Sequence, residues 1–136
     1  MKFLADYLDD ALRKPWGWGS MDCCMFAGDW VAVATGRDPM AAYRGIYSSR
    51  FQAIKLIRQR GGLLAMVDEE MRQLGFERTN TFEHGDIAVI EVPHLPGDMR
   101  AAGVSVVIRN GPWWVARSLD GIVGIDAKPL MAWGVA

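Results

Sequence analysis

The hydrophobic period of this chain changes near residue 75, and that change restricts the folds open to it. Before it, apolar residues recur at three- and four-residue spacing, the period of helices packed by one face. Phe3, Leu4, Tyr7, Leu8, Ala11 and Leu12 follow that rule until Pro15 ends the pattern. A second helix is predicted from near Asp22 through Trp30 and Val33 to a stop at Gly36. Asp38-Pro39 reads as a cap followed by proline at the first position of a further helix. Ser48 or Ser49 can cap a helix through Phe51, Ile54, Leu56 and Ile57, closed by Gly61-Gly62. The last helix is predicted from roughly Leu63 to Leu74.

After Gly75 the pattern shortens to β-branched runs. Asp86 to Val92 (DIAVIEV) and Gly103 to Arg109 (GVSVVIR) are strand candidates. Asn110-Gly111 then gives the strongest short hairpin signal, followed by WWVARS, and GIVGI (Gly121 to Ile125) is a fourth candidate. N-terminal helices followed by a small antiparallel β-sheet make an α+β fold. With 136 residues and no repeat, low-complexity tract or linker, residues 1–136 read as a single domain.

Bulk properties exclude several roles. The net charge is −1 and both signs are interspersed, so nothing in it predicts a nucleic-acid partner or membrane insertion. The arginines at 58 and 60 are expected to be a solvated helix face. The first ten residues carry acids and no long apolar run, which argues against a signal peptide or spanning helix and for synthesis in the cytoplasm. The only cysteines are the neighbours Cys23 and Cys24, expected as reduced thiols. No His/Cys spacing suits zinc, and neither a metal nor a cofactor is predicted.

The chemistry of interest lies in Trp16 to Phe26, a Gly- and Trp-bearing loop running straight into a helix. A cysteine in the first turn of a helix faces unpaired N–H groups and the positive end of the helix dipole, both of which favour thiolate. Cys23 is therefore a candidate nucleophile. The competing reading makes Cys23 and Cys24 small buried hydrophobes at a helix start. A thiol nucleophile needs a base, and the histidines are His84 and His94, each of which also reads as an ordinary surface residue. Arg37, Asp38, Arg44 and Tyr47 form a polar group in an apolar region, which we read chiefly as a cap plus an arginine fixing a loop. Trp113-Trp114 in a strand should point to opposite faces. Each tryptophan taken singly reads first as core, but Trp113, Trp114 and Trp133 are candidate interface residues, since an outward Trp is a common anchor.

Asp22-Cys23 at a helix start, Gly85-Asp86 opening an apolar strand, and the later Ala-Gly-Val-Ser-Val strand together resemble the NlpC-type (papain-like) cell-wall cysteine peptidases. The resemblance spans about residues 16 to 125. It places Cys23 on the family's nucleophile, Cys24 where that family has serine and Met25 where it has glycine. It implies a pocket around Trp18, Asp22, Cys24, Ala101 and Val115. The family's general-base histidine falls on Ala101, and a further polar residue, often histidine, falls near Val115. Neither side chain can accept a proton, and loss of general-base help removes ~10²–10⁴-fold of rate. His94, near the start of the second predicted strand, is the one candidate for a displaced base.

A longer resemblance is to a group of small bacteriophage tail proteins of the same fold. It rests on Trp18-Gly19, Asp22-Cys23, Thr35-Gly36-Arg37-Asp38-Pro39, Tyr43-Arg44-Gly45 with Tyr47, Gly61-Gly62, Gly85-Asp86 and Ala132-Trp133. It implies a structural or adaptor part of the tail tip, near the baseplate hub and central fibre. The protein would be made in the bacterial host cytoplasm and located in the virion tail tip, without catalysis. The alternatives are an active thiol peptidase or amidase on peptidoglycan peptides, with Cys23 as nucleophile, and a tail assembly factor absent from the virion.

Overall fold

The computed structural model describes residues 3–92 and 103–135. Four helices come first: α1 (Leu4–Leu12), α2 (Cys23–Thr35), α3 (Arg50–Gln59) and α4 (Leu63–Gln73). Five strands follow: β1 (Ile87–Glu91), β2 (Val104–Asn110), β3 (Trp113–Arg117), β4 (Ile122–Ile125) and β5 (Met131–Trp133). They form one antiparallel sheet in the order β4-β3-β2-β1-β5. The fold class is α+β, as the change of period predicts.

Helix starts follow local chemistry. The Asp22 carboxylate accepts from the Met25 N–H at 2.9 Å and caps α2. Ser49 caps α3 by accepting from the Gln52 N–H at 3.1 Å, while the Gln52 side chain accepts from the Ser48 N–H at 2.8 Å. Residues 39–46, expected as a helix after Asp38-Pro39, are instead a series of turns. Asp38 does cap, accepting from Met40 N–H at 2.9 Å, but the bonds Met40 O to Tyr43 N and Tyr43 O to Ile46 N are three-residue turns that never propagate. Gly28 explains the tight seat of this segment: a Cβ there would stand 2.2 Å from Met40 Cγ.

The β2–β3 hairpin forms one residue later than Asn-Gly suggests. Asn110 pairs with Trp113, so the turn residues are Gly111 and Pro112. Gly111 takes φ +59, the positive value that the first central position of a type II′ turn requires, and proline's fixed φ suits the second. This shift sets which face each later side chain meets.

Both faces of the sheet are buried, which is why β1 and β2 read as continuous apolar runs rather than alternating ones. Ile87, Val89, Val106, Ile108 and Val115 join the core under the helices, with α2 packed across β2 and β3. Ala88, Ile90, Val107, Trp114 and Ala116 form a second core on the opposite face, joined by Phe82 and Ile125. Trp114 stands edge-on to Phe82 at 5.3 Å between ring centres, with the Arg109 guanidinium 5.0 Å from the Trp114 ring centre.

This placement corrects two of the candidate interface residues. Trp114 and Trp133 are both fully buried and take no part in the surface. Trp114 fills the far-side core because the hairpin register turns it there. Trp133 is held on β5, a strand that the sequence pattern did not reveal, paired with Ile87 and bridged to Arg78. Trp113 is half exposed.

Buried polar groups tie the layers together. Asp86 accepts from Glu83 N–H at 2.9 Å and from Val135 N–H at 3.1 Å, stapling the C-terminal segment to the start of β1. The Trp30 indole on α2 donates to the Gly85 carbonyl at 2.7 Å. Arg117 reaches from β3 to the end of α1 and donates to the carbonyls of Ala11 and Lys14 at 3.0 and 3.1 Å. A cation at a helix C-terminus meets both unpaired carbonyls and the negative end of the dipole.

Candidate functional site

The loop of residues 16–21 folds back on itself before α2. Gly17 and Met21 form an isolated antiparallel bridge, and the half-buried rings of Trp16 and Trp18 meet edge-on at 5.4 Å. Trp18 also packs against the main core. Asp22 is the centre of the arrangement. Its buried carboxylate accepts from the N–H groups of Gly19 and Met25, both at 2.9 Å, and from the Tyr47 hydroxyl at 2.6 Å. Burial, first, and the acidic groups around it push the Tyr47 phenol well above its ordinary range, so it stays a donor. Gly19 sits at φ +81 with its α-hydrogen against the Tyr47 carbonyl, and a Cβ there would lie 2.0 Å from that oxygen. Gly19→Ala should therefore cost about 2 kcal/mol in urea denaturation followed by tryptophan fluorescence, from left-handed strain and the forced shift of Tyr47.

Cys23 occupies the first position of α2, as the thiol chemistry requires, but both cysteines are reduced and buried. Cys24 turns to the interior. It lines a cavity of about 20 Å³ with Met40, Met66 and Met71, between α2, α4 and the sheet. The neighbouring Cys23 thiol, burial and the Asp22 charge all push the Cys24 thiol up, away from thiolate.

Ile87 of β1 and Val106 of β2 line the same cavity as Cys24. Side chains alternate across a strand, so Val104, Val106 and Ile108 of β2 share the helix side, and Val115 of β3 pairs beside Ile108. Ala101 and His94 lie outside the described residues. His84 is exposed. It accepts from the Gly111 N–H at 3.1 Å, and its neighbour Gly85 holds Trp30, which lies about 10 Å of helix rise beyond Cys23. Among the described residues no group of three His, Cys, Asp or Glu is placed to hold a metal ion, and no helix is long and apolar enough to cross a membrane.

The four polar residues of the 37–47 region do not gather into one surface. Arg44 donates to both oxygens of Asp38 at 2.8 and 3.0 Å and lies 2.6 Å from Asp29. It holds the Asp38 carboxyl below its usual range, whereas burial keeps that of Asp29 above it. Arg37 instead lies 4.1 Å over the Phe76 ring and donates to the Leu74 carbonyl at 2.7 Å, at the end of α4. Tyr47 belongs to Asp22. These are loop-fixing roles. Two of the site's ties were not foreseen: the Asp22–Tyr47 bond and the buried Arg117. The second had a signal, a lone arginine closing the apolar run WWVA.

The family described as a domain of unknown function (DUF6950) matches residues 1–135, the whole of the site and both sheet cores included. The chain belongs to that family. No curated protein and no solved structure matches it. The DUF6950 domain thus carries a buried helix-head cysteine and a buried carboxylate that orders the loop before it.

Proposed function

We propose that this DUF6950 domain is a structural or adaptor component of a bacteriophage tail tip, built on a degenerate NlpC-type cysteine-peptidase scaffold. The observation that carries the reading is the enclosure of the thiols: Cys23 and Cys24 are both buried, and Cys24 shares its cavity with Ile87 and Val106. Asp22, which in a helix-head nucleophile site would order the active loop, here serves as a cap and as the anchor of Tyr47. The phage side of the reading rests on the resemblance in Thr35 to Tyr47, whose residues fix loops and leave the thiols enclosed. Hub and central-fibre proteins of the tail tip are the partners this reading implies.

One feature favours a second reading. Cys23 at the head of α2 sits where thiolate is stabilised, as an active peptidase or amidase on peptidoglycan peptides requires, with His94 as its base. The two separate by experiment. We expect native Cys23 and Cys24 to react with iodoacetamide at least about tenfold more slowly than a small free thiol between about pH 7 and 9, and to reach its rate once denatured. Purified peptidoglycan should release no peptide. Mass spectrometry of purified virions should find a few copies of the chain. Fast alkylation of Cys23 with peptide release that vanishes in Cys23→Ala would establish the enzyme instead. Absence from virions, with presence in infected cells, would make the protein an assembly factor.

A further inference from the structure

Two helix faces have no partner among the described residues, and they match each other. On α3, Ala53 and Ile57 turn inward, while Phe51, Ile54, Lys55 and Arg58 line a surface groove with Gln59. Their spacing is i, i+3, i+4, i+7, one stripe along a helix. Phe51 is 76% exposed, and Arg50, Lys55 and Arg58 make no ion pair among the described residues. The run from residue 39 to 67 contains no acidic residue at all. On α1, Leu4, Tyr7 and Ala11 turn inward. The outward side carries Asp6 and Asp9, also without ion pairs among the described residues, beside the exposed Asp10–Arg13 pair, which leaves the face net acidic, and is flanked by Phe3 and Leu12, 71% and 50% exposed. One stripe is basic with an apolar anchor, and the other is acidic with apolar flanks. The two helices have nine and ten residues, so their lengths match to about 1.5 Å.

We infer that α3 of one copy docks on α1 of a second copy, Lys55 and Arg58 facing Asp6 and Asp9, with Phe51 seated beside Leu12. The two surfaces differ, so the contact is heterologous and repeats from copy to copy as a ring or a filament. Its area, two short helices, falls below the ~800 Å² per partner of a standard interface. The association is therefore weak in solution and salt-sensitive. A membrane or a polyanion would use the basic stripe alone and leave the acidic stripe of α1 without a role, which is why the second copy is the better occupant. This inference stands apart from the proposed function and survives its failure.

Charge exchange tests it. In sedimentation velocity up to about 1 mM protein, the wild type should self-associate in low salt, weakening about tenfold once salt shortens the Debye length to about 3–4 Å. Lys55→Glu/Arg58→Glu and Asp6→Lys/Asp9→Lys should each be monomeric, and an equimolar mixture of the two should associate again, because each supplies the charge that the other now needs. Asp6 lies in the first turn of α1, where an acid helps the helix. If circular dichroism shows that double variant unfolded, Asp9→Lys alone replaces it. A wild type that stays monomeric, reversals that leave association unchanged, or a mixture that stays monomeric overturns the inference. So does a monomer that binds phosphatidylserine vesicles through Lys55 and Arg58.

Discussion

Asp22→Ala should lower the unfolding free energy by about 3 kcal/mol, measured by urea denaturation with tryptophan fluorescence. The loss of the α2 cap accounts for about 1 kcal/mol. The rest comes from stranding the buried Tyr47 hydroxyl and the Gly19 N–H, at about 1 kcal/mol each. Asp22→Asn is the control. Its amide oxygen can still accept from Met25, but one oxygen cannot serve all three donors, so about half of the loss should remain. Tyr47→Phe should cost about 1 kcal/mol alone and little more in the Asp22→Ala background, since the two groups form one unit. A loss below 1 kcal/mol for Asp22→Ala would mean that the loop before α2 is held by the Trp16 and Trp18 packing instead. The prediction also bears on function, since a residue that stabilises this strongly has a structural reason to sit before Cys23 whether or not the thiol reacts.

Trp133→Ala should be the more damaging change, at about 4 kcal/mol, with the midpoint shifting to lower urea. The side chain is fully buried against the helix-side core, and large-to-small changes at such sites lose transfer energy and leave a cavity. It also sits on a three-residue edge strand whose pairing with β1 is short, so the cavity is expected to loosen β5 and release the Arg78 bridge. Trp113→Ala, half exposed, should cost under about 1 kcal/mol. Equal losses at the two positions would show that the core does not depend on β5 as the pairing implies. The contrast sorts the tryptophans: Trp133 and Trp114 stabilise the domain, and Trp113 alone among those three is open to a partner.

Much of this was legible in the chain itself. The change of hydrophobic period, the caps at Asp22 and Ser49, the breaks at Gly36 and Gly61-Gly62, and the apolar runs of β1 and β2 are local signals, read within a few residues. They predicted the four helices that form, together with one after Asp38-Pro39 that does not, and then strands, and they placed Cys23 at a helix head. Tertiary structure decided the remainder because it depends on pairing across distance. Whether residues 39–46 continue as a helix was settled by their packing on Gly28 and by Arg44 between Asp29 and Asp38. Whether Trp114 faces solvent was settled by a one-residue shift in the hairpin turn, which reverses every face downstream. β5 is too short to show a period and exists because β1 offers it an edge. Burial of the Cys23–Cys24 pair was one of two readings that the sequence left open, and packing decided it, since a thiol at the head of a helix reads alike whether the surface above it is open or covered.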